Sequence, residues 1–204
     1  QDFEIREYPV PDPERNTVLL KQEMAGICGT DLHNWQKPGE KEKGETLPNG
    51  FQKEILLGHE NVGVIEAIGA GVETDYVGQP IQEGDRITIC PDIVCGKCYY
   101  CRHIFGYSWC ENWQGYGNSF QSVETPLMGG WAEKMVVTPE TFVYKVPDGL
   151  EPEFAVYTEL MACAFAFDKA KDFSNLASEG FLTGSSVLIQ GAGPLGMVHL
   201  IMAR

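Results

Sequence analysis

The chain is short of positive charge. Its 204 residues carry 15 Lys and Arg against 29 Asp and Glu, for a net charge of −14. A surface of that sign repels a polyanionic backbone, so no nucleic acid partner is expected. No apolar stretch is long enough to cross a bilayer, so no membrane partner is expected either. No basic-then-apolar leader opens the chain, and internal repeats and low-complexity tracts are missing. These absences point to a soluble protein, expected in the cytoplasm. The composition, 43% hydrophobic and 22% charged, is that of a globular protein. The length suits one large domain or one and a half.

Cysteine is where the sequence becomes specific. There are seven, an odd number, so they cannot all pair internally, and nothing indicates the oxidising compartment that disulfides need. Four are crowded together: Cys95, Cys98 and Cys101 at C-x-x-C-x-x-C spacing, then Cys110. Four thiolates that close can wrap one tetrahedral Zn²⁺. With four protein sulfurs as ligands, no position remains for water or substrate, so the expected role is structural. The metal would fix a long loop that has little apolar core of its own.

Around this lobe, residues 90–118, the pattern is one of short strands. Residues 18–24 alternate as a strand, and residues 62–69, 85–89, 131–137 and 141–146 follow, joined by glycine-rich turns. Several short strands with regular turn signals suggest a small β-barrel, with the cysteine lobe as an excursion from it. Residues 36–53 form a polar insertion of mixed charge. It reads as a solvated loop, with a lid over a pocket as the alternative. From 151 to 171 breakers are few and Ala, Phe, Leu and Met dominate, which predicts a mostly buried helix. A Ser/Gly-rich connection, 174–185, leads to a short apolar strand at 187–190.

That strand runs into Gly191-Ala192-Gly193-Pro194-Leu195-Gly196 and a helix over 197–204. A G-x-G-x-x-G loop between strand and helix is the context in which the pattern binds a dinucleotide. The first glycine permits the tight turn, the second lets backbone approach the pyrophosphate, and the third lets helix and strand pack closely. Pro194 suits the first helical turn, where a missing N–H costs nothing. The remaining N–H groups of that turn would face phosphate. The residue that would read the ribose lies beyond Arg204, so NAD and NADP both stay open.

A second metal set is scattered. Cys28 and His33 lie in Cys28-Gly29-Thr30-Asp31-Leu32-His33 at the end of a strand, and Gly58-His59-Glu60 precedes another. Cys28, His59 and a carboxylate would give three protein ligands and one open place, the plan of a catalytic zinc. Taken singly, His59 is more often a hydrogen-bonded core histidine and Cys28 a buried thiol.

Taken together, these stretches carry a resemblance. Gly-Ile-Cys-Gly-Thr-Asp-Leu-His (26–33), Gly-His-Glu (58–60), Gly-Asp-Arg (84–86), the Cys95/98/101/110 lobe and Gly-Ala-Gly-Pro-Leu-Gly (191–196) occur in the order found in zinc-dependent medium-chain alcohol and polyol dehydrogenases. The chain resembles that family over essentially its whole length. The resemblance implies a mixed α/β fold: a GroES-like β-barrel catalytic domain over 1–160 with the zinc lobe at about 90–118, then the start of a Rossmann NAD(P)-binding domain over 161–204. It implies two Zn²⁺ per chain, NAD or NADP as cofactor, and a small-molecule alcohol or polyol as substrate, held in a cleft between the domains. Family members continue through the rest of the nucleotide domain, so the chain reads as truncated, and a homo-oligomer is expected at full length.

By the same resemblance Cys28 and His59 are ligands of the catalytic zinc, and Glu60 binds the metal or stands behind it. Thr30 touches the substrate oxygen, His33 ends a proton relay, and Asp31 orients His59. The polyol branch places a Glu, usually followed by Pro, on the helix after the barrel. Glu159 takes that position with Leu160 in place of the proline, and is the favoured remaining ligand, which leans the substrate towards polyols and secondary alcohols. A glutamate in an apolar helix is expensive unless paired or metal-bound. Cys163, one turn on, and Cys90 are read as inert. Trp35, Trp113 and Tyr116 are candidates either for a pocket wall or for ordinary packing. The alternatives to an oxidoreductase are a zinc-stabilised, non-catalytic binding module and a family member that has lost activity.

Overall fold

The computed structural model describes residues 3–36, 56–103, 109–118, 127–165 and 186–204. The polar insertion from residue 37, the connection at 174–185 and the end of the helix expected to reach 171 lie outside the described residues. The chain divides into two compact units, Gln1–Val156 and Tyr157–Arg204.

In the first unit the chain runs β1 (Val18–Ala25), α1 (Gly29–Gln36), β2 (Asn61–Ile68), β3 (Arg86–Ile89), β4 (Asp92–Ile93), α2 (Tyr99–His103), β5 (Gln114–Gly115), β6 (Lys134–Val137), β7 (Val143–Lys145) and α3 (Pro152–Ala155). Five strands form one sheet in the order β6-β1-β2-β3-β7, every pair antiparallel. β4 and β5 form a separate two-residue ladder at the base of the cysteine lobe. The strands expected from alternation are there, with trimmed ends: the 131–137 segment enters the ladder only at Lys134, and 141–146 only at Val143.

One apolar cluster joins the sheet to the lobe. Leu20, Ile65, Ile87, Met135 and Val137 pack with Ile93 from β4 and the fully buried Tyr116 that follows β5. Each aliphatic side chain buried in this way contributes about 1.5–3 kcal/mol against leaving it in water. The opposite face of β2 and β3 is also covered. Val62 packs with Val146 and Ala155, and the buried Thr88 hydroxyl donates to the Asn61 carbonyl at 2.8 Å. The Tyr116 hydroxyl accepts from Thr138 N–H at 2.8 Å and lies 2.9 Å from Thr141 Oγ1. Tyr116 is therefore a core residue with a satisfied polar tip rather than a pocket wall.

Helix α1 was not expected: 28–33 reads as the end of a strand. Its N-terminus explains it. Leu32 N–H bonds back to the Cys28 carbonyl at 3.3 Å, while the Asp31 carboxylate accepts Cys28 N–H at 2.8 Å. A first-turn acid reaching back to the residue before the helix is one half of a capping box, and its charge suits the positive end of the helix.

The second unit holds α4 (Thr158–Ala164) and α5 (Pro194–Ala203), which pack together. The single helix expected from residue 151 is two helices, α3 and α4. Val156 closes α3 and Tyr157, still in the right-handed helical region at φ −73° and ψ −4°, precedes α4. Residues 187–190 form no strand ladder, because no neighbouring strand lies beside them among the described residues. No helix of the described residues is long and apolar enough to cross a membrane.

Candidate metal centres

Cys28, His59 and Glu60 converge, one ligand atom of each lying within 4.8 Å of the others. They come from the turn before α1 and the turn before β2, and the two turns are laced together by backbone: Gly26 N–H donates to the Glu60 carbonyl at 2.8 Å. Gly26 has no side chain because the Glu60 side chain fills that place; a Cβ built there would lie 1.8 Å from Glu60 Oε2. The turn at Gly58 is boxed in as well. Gly58 (φ +95°) and Gly117 (φ +71°) both adopt left-handed backbone, and a Cβ on Gly117 would meet the Gly58 backbone at 2.7 Å. Only glycine satisfies that conformation and that closeness together.

Asp31 is the polar hub beneath. It is wholly buried, accepts Cys28 N–H at 2.8 Å and Gly58 N–H at 3.3 Å, and holds Oδ1 3.5 Å from His59 Nδ1. That buried imidazole nitrogen has no other partner, so the Asp31 carboxylate is the group it faces. Burial, the largest single influence, pulls the His59 pKa down, but Asp31 and Cys28 together outweigh it and raise it to about 9. Burial also raises the Glu60 pKa, against the pull of His59. With Nδ1 turned to Asp31, Nε2 is the nitrogen that would bind a metal. A thiol, an imidazole backed by a carboxylate, and a second carboxylate are a donor set that fits Zn²⁺ with one place open.

Thr30 and His33 stand on α1. Thr30 Oγ1 lies 3.8 Å from Cys28 Sγ, and His33 is exposed one turn further along. Trp35 is part of a surface stack, its ring 5.9 Å from that of Phe3 and nearly parallel to it. Trp113 serves the lobe: its Nε1–H donates to Asp92 Oδ1 at 2.7 Å across the β4–β5 ladder.

The lobe sulfurs form the second centre. Cys95, Cys98, Cys101 and Cys110 place their Sγ atoms within 4.8 Å of one another, and Cys95 and Cys101 are 4.0 Å apart. Four sulfurs around one Zn²⁺ would stand roughly 3.8 Å apart. No cysteine is in a disulfide. Backbone N–H groups already point at sulfur: Cys95 to Cys110, Cys98 to Cys95 and Cys101 to Cys98, each at 3.4 Å. The N–H groups of Lys97 and Cys98, with the Asn112 amide, lower the Cys95 pKa to about 6. Burial and the Cys98 and Cys110 thiols push Cys101 up to about 12. Nests of N–H donors that favour thiolate fit a metal of this kind.

The second unit carries the glycine loop and Glu159. Gly193 precedes α5 in extended backbone with Pro194 first in the helix, and Met197 N–H bonds to the Gly193 carbonyl at 3.0 Å. Gly196 backs onto the loop, since a Cβ there would lie 2.1 Å from the Gly191 carbonyl oxygen. Leu195 is exposed. Glu159 is half-buried on α4, with Oε1 3.8 Å from Cys163 Sγ one turn on.

An antiparallel sheet thus brings a Cys–His–Glu cluster to one end and carries a four-cysteine lobe, the arrangement of a GroES-like domain of the alcohol dehydrogenase type. The chain belongs to the alcohol dehydrogenase GroES-like domain family, whose model matches residues 14–148. It is 35% identical over 201 residues to the L-threonine 3-dehydrogenase of Pyrococcus horikoshii, covering 98% of this chain and 49% of that protein. It is 28% identical to the 5-exo-hydroxycamphor dehydrogenase of Pseudomonas putida, covering 98% of the chain and 50% of that protein. Among solved structures, the alcohol dehydrogenase of Thermotoga maritima aligns with a TM-score of 0.79 at 30% identity, over 98% of this chain and 50% of that one. The chain thus spans about half the length of the curated relatives it matches.

Proposed function

We propose that the full-length protein is an oxidoreductase that passes hydride between an alcohol or polyol and NAD or NADP, with secondary alcohols favoured. The convergence of Cys28, His59 and Glu60 over the buried Asp31 carries this reading. The alcohol loses a hydride from carbon and a proton from oxygen and becomes a carbonyl. When bound, Zn²⁺ supplies a Lewis acid that makes the alcohol proton easier to lose, and the nicotinamide supplies the hydride acceptor.

The chain's own residues do the rest. Asp31 holds the His59 ring with Nδ1 inward. Thr30 Oγ1, 3.8 Å from Cys28 Sγ, accepts the substrate hydroxyl proton on this reading, and His33, exposed on the same helix, passes it to solvent. Gly191, Gly193, Pro194, Leu195 and Gly196 form the turn that receives the cofactor pyrophosphate. The lobe cysteines hold a second, structural zinc, giving two per chain. Glu60 and Glu159 are the two candidates for the carboxylate ligand. Both named relatives oxidise secondary hydroxyl groups by their names, which supports that substrate class. A cytoplasmic homo-oligomer without nucleic acid or membrane partners completes the proposal.

The test is nicotinamide absorbance with the full-length protein and a panel of primary alcohols, secondary alcohols, polyols and L-threonine. Cofactor reduction that is fastest with a secondary hydroxyl supports the reading. No reduction with any of them, in protein that holds its zinc, contradicts it.

A further inference from the structure

Cys28 and His59 lie on separate turns, and besides Asp31 a second side chain outside the ligand set touches the approach to both. Trp131 donates its Nε1–H to the Gly26 carbonyl at 3.2 Å, two residues before Cys28. Its Cδ1 stands 2.4 Å from where a Cβ on Gly58 would be, so the indole lies directly on the residue before His59. Its backbone N–H donates to the Leu57 carbonyl at 2.9 Å, and Gly130 N–H donates to the Gly58 carbonyl at 2.8 Å. The strap is itself anchored. Gln22 Nε2 donates to the Gly130 carbonyl at 3.3 Å and to Asn61 Oδ1 at 2.8 Å. Gly129 is pressed onto Leu56 so closely that a Cβ would lie 2.2 Å from its carbonyl oxygen. Outside the indole, Phe3 lays its ring 5.8 Å from that of Trp131.

From this geometry we infer that Trp131 is a positioning residue for the Cys28–His59–Glu60 metal site: it clamps the two ligand-bearing turns at the separation the metal needs, the indole N–H fixing one and the adjoining Cδ1 the other. Neither contact reaches a ligand atom, so the effect is on geometry and not on donor chemistry. Partners behind a ligand commonly hold a 10–100-fold share of metal affinity, and Trp131 acts on two turns at once. The inference rests on the zinc site proposed above.

The experiment compares wild type with Trp131→Phe and Trp131→Leu in the full-length protein, titrated with Co²⁺ after metal removal. Co²⁺ bound by one thiolate and by four thiolates absorbs differently, so both centres are read in one sample. The expected result is affinity at the one-thiolate site reduced about 10–100-fold in Trp131→Leu. Trp131→Phe, which keeps a ring and loses the N–H, should fall between it and wild type, with the four-thiolate site unchanged in both. Should the leucine variant fail to fold, the phenylalanine variant decides alone. Unchanged affinity at the one-thiolate site, or equal weakening of both centres, overturns the inference while leaving the proposed function standing. A wild-type protein that takes up no Co²⁺ at the one-thiolate site overturns both.

Discussion

The wholly buried Asp31 carboxylate sits 3.5 Å from His59 Nδ1 while accepting the backbone N–H of Cys28 and of Gly58. One side chain therefore fixes the direction of one proposed ligand and the backbone beneath two. Asp31→Asn keeps the shape but removes the charge facing His59, and an amide can accept through only one of its two terminal atoms. Zinc affinity at this site should fall about 10–100-fold, as is usual when a partner behind a ligand is lost. Competition with a chelator measures it, and the lobe centre serves as the internal control.

On the proposed reading the lobe depends on a metal of its own. α2 is five residues long and has no buried residue, so little apolar burial holds it. Cys98→Ser should remove one zinc per chain and expose the segment between Cys95 and Cys110 to proteolysis, with the five-stranded sheet retained. Limited digestion with metal analysis checks this. A lobe that resists protease without its zinc would show that the sulfurs are not what orders it.

Gly117→Ala tests the crossing of two turns. The substitution places a Cβ in left-handed backbone and 2.7 Å from Gly58. A cost of about 2–4 kcal/mol is expected, because strain and a backbone clash add. Chemical denaturation measures it. The metal site at His59 should weaken with it, since Gly58 must shift.

The acid limb of stability should carry a signature of Arg86. Its Nε and Nη2 donate to the two oxygens of Glu23 and its Nη1 to the Leu150 carbonyl. The side-chain bond from Arg86 lowers the Glu23 pKa below its ordinary 4.5. A depressed carboxylate stabilises the fold fully above its unfolded pKa and loses that contribution as pH falls through the folded one. Wild type should therefore lose stability below pH 4.5, and Glu23→Gln should flatten that part of the profile. The effect is about 1 kcal/mol or less for so exposed a pair. Denaturation across pH measures it, and a steeper acid limb in Glu23→Gln would contradict the sign.

Much of the fold was legible because alternation is a local signal: the strands around Leu20, Ile65, Ile87, Met135 and Tyr144 follow from it. The convergence of the lobe cysteines was legible because all four are packed into sixteen positions. What escaped was either a local motif open to two readings or a contact between residues distant in sequence. Helix α1 begins at a glycine, and its stabilising feature, Asp31 reaching back to Cys28, looks like a ligand motif before it looks like a cap. Trp131 reads as the first residue of a strand; its contacts with Gly26 and Gly58 exist only once β1, β2 and β6 are paired. The expected strand at 187–190 failed for the opposite reason, since a strand needs a neighbour and the local sequence supplies none. The Gly-Asp-Arg stretch was recognised by resemblance, but its work, Asp85 on Lys145 and Arg86 on Glu23, is visible only in the folded sheet.

The most direct measurement is zinc content and turnover of Cys28→Ser beside wild type, both at full length. The account predicts two zinc ions in wild type, one in the variant with the four-cysteine lobe still filled, and alcohol-dependent reduction of the nicotinamide in wild type alone. A variant that keeps both ions and full turnover, or a wild type that turns over with metal in the lobe only, would contradict it.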